Sequence, residues 1–241
     1  MILVIAAAIA AAPAPAATCP NLVTPQAFVC RALQASNSGN SEAAAEAFEQ
    51  AAGAQTDESE KARSWAAAGN MWIAANEPGK AALALDKALT GTGLQAEQRG
   101  EALLDRARAA EAQNDLKAAR AKLTEAERLI SEDPFLWYFS AALSLREEDV
   151  PAAKSAINRA LAMAPDSAEV LFEAGHIAKA SGEDAQARDY WNRAAAADPK
   201  GPIGKAARAA LAMTDAPLTV TNQVSTRPEG DGEGGKVPEK D

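Results

Sequence analysis

Few side chains in this sequence have the types and spacings that catalysis requires. His176 is the only histidine among 241 residues, so a Ser–His–Asp triad would need it, and a site with several histidine ligands is excluded. Two cysteines are too few for a zinc ribbon, and no glycine-rich loop follows a strand pattern. Carboxylates are numerous, so a paired-acid glycosidase site stays open, although most lie near Lys or Arg, as Glu125 does near Arg128. We expect no enzyme, no metal and no cofactor.

Aromatic side chains form the most conspicuous cluster. Only 5% of the residues are aromatic, yet Phe135, Tyr138 and Phe139 are close neighbours, and Phe172 follows at an equivalent position farther on. Aromatic and arginine side chains are common anchors of protein interfaces. The same rings would also suit the gaps between packed helices, and the sequence leaves both alternatives open. His176, which helical spacing places beside Phe172, is better interpreted as a solvated histidine than as a catalytic one.

The composition favours helices over strands. About a quarter of the residues are alanine, the strongest helix former, whereas valine, isoleucine, tyrosine and threonine are scarce. The formal net charge is -9, which opposes binding to the phosphate backbone of nucleic acids. The class indicated is therefore all-α, without a nucleic-acid partner.

A repeated pair of helices organises most of the chain. Equivalent residues recur 34 positions apart, as Trp137 and Leu171 do, and Pro165 and Pro199. The first two spacings are slightly longer, and the additional residues fall in polar or Gly-bearing stretches. The predicted domain spans 25–213, with repeats near 25–58, 62–95, 100–133, 134–167 and 168–201 and a capping helix at 202–213.

Each predicted repeat places small residues where its two helices meet. On the first helices these are Ala32, Gly69, Ala107, Ala141 and Gly175, and on the second helices Ala44, Ala81, Ala119, Ala153 and Ala187. A bulky residue follows on every second helix: Phe48, Leu85, Leu123, Ile157 and Trp191. We expect the bulky residues to fill the space between neighbouring repeats, so that the stack shares one core.

These residues resemble the tetratricopeptide repeat. The family pattern is a large residue, a small one four later, another small one twelve further, then a large one, a small one and a terminal proline. The fifth repeat carries Leu171, Ala174-Gly175, Ala187, Trp191, Ala194 and Pro199. The first three repeats lack the proline, and Ala35, Ala110, Ser144 and Ala178 replace the aromatic residue that Trp72 supplies. The resemblance implies a right-handed α-solenoid of about five helix-turn-helix repeats plus a C-terminal capping helix.

The resemblance also implies a concave groove, lined by the first helix of each repeat, that binds another protein or peptide. Counting outward from the buried positions places these residues in it: Arg63, Asn70, Arg108, Phe135, Tyr138, Phe139, Arg146, Phe172, His176 and Lys179, with Glu101, Asp105 and Glu169 beside them. Family members that hold the C-terminal carboxylate of chaperone tails use Lys and Asn on successive first helices. Only Asn70 matches that set, so we do not expect this activity.

The N-terminus has the pattern of a secretion signal. Residues 2–12 are apolar and too few to span a bilayer, and Ala14-Pro15-Ala16 has the small-x-small form of a cleavage site. We predict a signal peptide at 1–17, a short segment at 18–24 and no stable membrane span. No Lys or Arg precedes the apolar run, which is unusual for such a signal.

The sequence leaves three chemical states open for Cys19 after export. It could carry a lipid, although Thr18 is large for the position before a lipidated cysteine. In an oxidising compartment it could pair with Cys30 as a disulfide, or both could stay free thiols.

At the C-terminal end, residues 214–241 contain too little apolar surface to fold, so we expect a disordered tail.

The sequence therefore predicts an exported, periplasmic, non-catalytic module that binds a peptide or protein segment in its groove, as a scaffold or adaptor of a bacterial envelope. One alternative is a structural envelope component that self-associates. Another is an accessory factor of a cell-wall or polysaccharide system.

Overall fold

The computed structural model describes residues 19–215, with side chains through residue 214, and this part of the chain contains helices and no strands. The helices are α1 (Pro25–Asn37), α2 (Ser41–Ala54), α3 (Glu58–Ala74), α4 (Pro78–Leu89), α5 (Ala96–Ala112), α6 (Leu116–Glu127), α7 (Pro134–Arg146), α8 (Val150–Met163), α9 (Ala168–Ala180), α10 (Asp184–Ala197) and α11 (Pro202–Asp215). Consecutive helices pair as repeats 1 to 5, and α11 packs against α10 and α9. The expected all-α solenoid with a capping helix is confirmed. The expected signal peptide and nearly all of the expected tail lie outside the described residues.

The same turn closes every helix pair. In each turn one residue has a positive φ: Gly39, Asn76, Asn114, Glu148 and Gly182. The N–H of the residue after it donates 2.9 Å to the carbonyl five positions earlier, as Asn40 does to Ala35 and Asp149 does to Ser144. This bond is the six-to-one hydrogen bond of the Schellman motif. Glycine and asparagine adopt the left-handed conformation readily, whereas Glu148 does so at a cost of about 1 kcal/mol.

The two helices of a pair approach closely because a small residue lies beneath a bulky one. A β-carbon added to Gly69 would lie 2.4 Å from Leu85 Cγ, and one added to Gly175 would lie 2.3 Å from Trp191 Nε1. These contacts lie within one repeat. Leu85 and Trp191, which were expected to fill the space between repeats, thus also cover the glycine of their own repeat.

Three apolar clusters follow one another along the stack. The first lies among α2 to α5, the second among α5 to α9 and the third among α9 to α11. Leu89 packs against the first and second clusters, and Leu161 and Tyr190 pack against the second and third. Each repeat thus depends on its neighbours to cover its apolar faces, as in other solenoids.

A disulfide joins the start of the described chain to α1. Cys19 and Cys30 are bonded, with their Cα atoms 5.7 Å apart. Arg31 also donates to the carbonyl oxygens of Pro20 at 2.8 Å and Leu22 at 3.2 Å. Together these contacts hold the segment before α1 against that helix.

The close contact in repeat 5 predicts opposite effects for two Gly→Ala substitutions. Gly175→Ala should lower the free energy of unfolding by about 1–3 kcal/mol, because the new methyl group displaces Trp191. Gly53→Ala on α2 adds a carbon with no neighbour within 4 Å, so it should raise that free energy by about 0.5–1 kcal/mol. Urea denaturation measures both. Equal effects would contradict the close contact.

The disulfide predicts a local loss of stability when it is removed. Changing both Cys19 and Cys30 to serine reopens a short loop and should lower the free energy of unfolding by up to about 3 kcal/mol. Amide hydrogen exchange should accelerate in α1 and stay unchanged in α9, and reduction of the unmodified protein should reproduce this pattern. Uniform acceleration along the chain would contradict a local role.

Candidate functional site

The first helices of the repeats form one surface. The helices α3 and α5 pack together, as do α7 and α9 and then α9 and α11. We call the solvent-accessible side chains of α3, α5, α7 and α9 on this surface the first-helix face. Most of the residues that the sequence assigned to a groove lie on it.

A pocket of about 410 Å³ opens at the N-terminal end of this face, a volume in the range of ligand sites. Its polar lining includes Arg63, Asn70, Glu101 and Asp105, all expected groove residues. Its apolar lining consists of Leu33, Phe48, Ala66, Ala67, Met71, Leu94 and Ala102. Phe48 was expected to fill the core, but it is only partly buried and forms part of this lining. The pocket therefore combines an apolar lining with a few polar groups.

A chain of contacts crosses from α3 to α7. The Asn70 amide donates 2.8 Å to one Asp105 oxygen, and the Arg108 guanidinium donates 2.7 Å to the other. The same guanidinium lies 5.3 Å from the centre of the Phe135 ring, which in turn lies 5.5 Å from the Tyr138 ring. We call these five residues the stripe. It fixes the position of Arg108 and leaves Phe135 41% exposed.

Tyr138 connects the stripe electrostatically to α9. Burial raises the pKa of its hydroxyl, and the nearby carboxylates of Glu173 and Glu169 raise it further, while Arg108 opposes them. This hydroxyl has no hydrogen-bond partner within residues 19–215. It is thus a polar group available to a bound molecule.

On α9, a histidine and a carboxylate lie among rings. The His176 ring meets the Phe172 ring edge-on at 4.5 Å and lies 5.4 Å from the Trp191 ring, and burial lowers its pKa. Within the described residues no hydroxyl or carboxylate hydrogen-bonds to His176, so no triad geometry is present there. Glu173 is half-buried, which raises its pKa, and it has no hydrogen bond or ion pair within residues 19–215.

The expected groove cations are engaged by the protein itself. Arg63 pairs with Glu60, and Lys179 pairs with Asp184 at 2.7 Å. Arg146 pairs with Glu111 and donates 2.9 Å to the Asn114 side chain in the turn of repeat 3. Arg146 and Lys179 therefore link elements of the solenoid, whereas Arg63 pairs within its own helix.

Phe139 does not belong to the first-helix face. Its side chain is only 8% exposed and lies in the central apolar cluster. The helix α7 carries large apolar residues around most of its circumference, so spacing alone did not separate its buried rings from its exposed ones. Phe135 and Tyr138 remain accessible, and Phe139 fills the core.

Two further findings concern the described part of the chain. In residues 19–215 no group of His, Cys, Asp and Glu side chains is arranged to hold a metal ion. None of the helices in this range is both long enough and apolar enough to cross a bilayer.

The unpaired carboxylate on α9 predicts a pH-dependent effect. Because burial raises the folded pKa of Glu173 above its ordinary value of 4.5, the folded protein loses stability as the pH rises through that pKa. Glu173→Gln removes the cost of ionisation, so the variant should melt at a higher temperature than the wild type at pH 7. The gap should close at about pH 4, where both side chains are neutral.

The matched control is Glu46→Gln, which removes one exposed carboxylate from α2. It should produce no comparable gap. A wild type that melts above the Glu173→Gln variant at pH 7 would show that Glu173 has a stabilising partner.

Structural similarity to known proteins supports the architecture of repeated helix pairs. No protein-family model matches the chain, and no curated protein matches its sequence. Among solved structures, PilW, described as a widely conserved type IV pilus biogenesis factor, aligns over 76% of this chain and 81% of its own, with a TM-score of 0.63 and 20% identity. A tetratricopeptide repeat protein from Parabacteroides merdae aligns over 78% and 72%, with a TM-score of 0.61 and 14% identity.

A third similar structure is that of a peptide-binding protein. YrrB, described as a TPR protein with an unusual peptide-binding site, aligns over 76% of this chain and 91% of its own, with a TM-score of 0.55 and 17% identity. Identities this low establish the fold alone. The repeated helix pairs and these structural matches together show that the chain has the tetratricopeptide repeat fold.

Proposed function

We propose that this protein is a non-catalytic binding module that holds a peptide or protein segment along its first-helix face. The observation that carries the proposal is the pocket between α1, α3 and α5, continued by the stripe onto α7. An extended segment on this path would meet an apolar lining, then the Phe135 and Tyr138 rings, then the carboxylates of α9. Aromatic anchors bordered by polar groups are typical of protein interfaces.

Two structural neighbours agree with this role. YrrB is described as a TPR protein with an unusual peptide-binding site, and PilW as a type IV pilus biogenesis factor. We extend the first property to this chain because its pocket is open and lined by side chains of the first helices. We extend the second only as far as a scaffold or adaptor role in a bacterial envelope.

The Cys19–Cys30 bond supports an exported, periplasmic location. Disulfides persist in oxidising compartments such as the periplasm and are rare in the cytosol. The bond agrees with the signal-peptide pattern at residues 1–17. It also leaves Cys19 without a thiol for a lipid, which argues against a lipid anchor.

Self-association is the second candidate, and the ends of the stack favour it. At the N-terminal end Leu22 is 58% exposed and Val23 is 86% exposed, and near the C-terminal end Met213 is 79% exposed. Apolar side chains at both ends would suit end-to-end contact between copies. A molecular mass that rises with protein concentration would favour this candidate. The accessory role in a polysaccharide system has no comparable support among the described residues.

The test of the binding module is differential capture from an envelope extract. The wild type should retain a partner that the Tyr138→Ala/Phe172→Ala double variant loses, because the double variant lacks two half-buried rings of the first-helix face. The control is Tyr190→Ala, which removes a half-buried ring from a second helix and should keep the partner. Circular dichroism must show equal helicity for all three proteins. Retention by the double variant would contradict the proposal.

A further inference from the structure

On the first-helix face the cations are paired with carboxylates of the protein, whereas several carboxylates have no cation. Its cations Arg63, Arg108, Arg146 and Lys179 each pair with a carboxylate of this chain. Their charges are therefore largely neutralised before any partner arrives. A bound acidic segment would have to compete with these internal pairs.

Several carboxylates on the same face lack a cation. Within residues 19–215, Glu101 and Glu173 have no hydrogen bond or ion pair, and Glu169 accepts only the Ser167 hydroxyl at 3.0 Å. Burial raises the pKa of Glu101, and the charges of Glu97, Asp105 and Asp133 raise it further. A cation would therefore offset the desolvation of the half-buried Glu173 and the repulsion between carboxylates at the exposed Glu101.

Aromatic rings lie near the unpaired carboxylates. After burial, the charges of Glu173 and Glu169 are the largest causes that raise the pKa of the Tyr138 hydroxyl. Phe172 precedes Glu173 on α9, and Phe135 is exposed beside Tyr138. A ring face and a carboxylate together suit the ammonium group of lysine or the guanidinium of arginine.

Cations already occupy ring faces elsewhere in this molecule. The Lys87 ammonium lies 3.8 Å from the centre of the Trp65 ring, and Arg159 lies 4.2 Å from that of Trp137. On the first-helix face, Arg108 approaches Phe135, whereas no cation of the described chain occupies the Tyr138 ring.

We infer that the segment bound on this face is basic, with one lysine or arginine side chain between Tyr138 and Glu173 and a second beside Glu101 in the pocket. This inference rests on the proposed function and specifies the chemistry of the partner. The residues between the two cations cross the stripe and contact the Phe135 ring. The net charge of -9 on the whole chain favours the approach of such a segment, most strongly at low salt.

The test uses an array of 14-residue peptides that share their apolar and aromatic residues and differ only at the charged positions. These positions hold lysine and arginine in one set, glutamine in the second and glutamate in the third. Fluorescence anisotropy with the full chain measures binding. The basic set should bind at least about 10-fold more tightly than the glutamine set, and the glutamate set should bind most weakly.

Variants assign the preference to residues. Glu173→Gln and Glu101→Gln should each weaken binding of the basic peptides by about 3- to 10-fold and leave the glutamine peptides unchanged. Glu46→Gln on α2 removes the same charge elsewhere and should leave both unchanged. Equal binding of the basic and glutamine sets, or equal behaviour of all three variants, would overturn the inference.

Two controls separate this inference from the proposed function. If charge has no effect but Tyr138→Ala/Phe172→Ala still abolishes peptide binding, the face binds peptides and its basic preference is wrong. If the double variant binds basic peptides as well as the wild type does, both proposals are wrong and the attraction is a general effect of net charge. Competition by spermidine at the concentration of the peptide itself would identify a small polyamine as the occupant and would also overturn the inference.

Discussion

The close contact between a small residue on one helix and a bulky residue on its partner is the constraint on which this structure depends. At Gly69 and Gly175 there is no room even for a methyl group, because Leu85 and Trp191 occupy that space. The bulky side chain is therefore used to close its own helix pair. Residues such as Leu89 pack against the apolar clusters on both sides of a junction between repeats. Each helix pair therefore closes on itself, and the stack repeats similar junctions from one pair to the next.

The same constraint determines what the first helices can display. Their small residues are turned toward the partner helix, so the side chains on the opposite side have no role in closing the pair. Some of them join neighbouring first helices, as Asp105 does when it accepts from Asn70 and Arg108. Glu173 has no such role, and its burial makes the folded state less stable at neutral pH. The proposed binding of a cation beside Glu173 would offset this loss of stability.

Much of the fold was accessible from the sequence because its determinants are local. The turns depend on one left-handed residue and one hydrogen bond, and the pairing depends on residues less than one repeat apart. The site was less accessible. Phe139 and Phe135 both lie on α7, and only the packing of neighbouring helices separates the buried ring from the exposed one.

The other features that the sequence did not predict are formed by residues that lie far apart in the chain and meet only in the folded protein. The lining of the pocket includes Phe48 from α2, which the repeat pattern assigns to the space between repeats. Glu173 is one of many carboxylates in the sequence, and its isolation becomes visible only where α7 and α9 pack together. The Cys19–Cys30 spacing was compatible with a disulfide and with two free thiols. In the folded protein the two cysteines are bonded to each other.

The distribution of the tryptophans gives this solenoid internal spectroscopic labels. Two lie in repeat 2 and one each in repeats 4 and 5, and no tryptophan lies in repeats 1 and 3. Their surroundings differ: the Trp72 indole donates to the Glu49 carboxylate, the Trp137 indole to the Ser131 carbonyl oxygen and the Trp191 indole to the Phe172 carbonyl oxygen. Loss of structure that begins at the C-terminal end would alter the emission of Trp191 first, whereas loss that begins at the N-terminal end would leave it until last. The order in which the repeats separate can therefore be followed in the unlabelled protein.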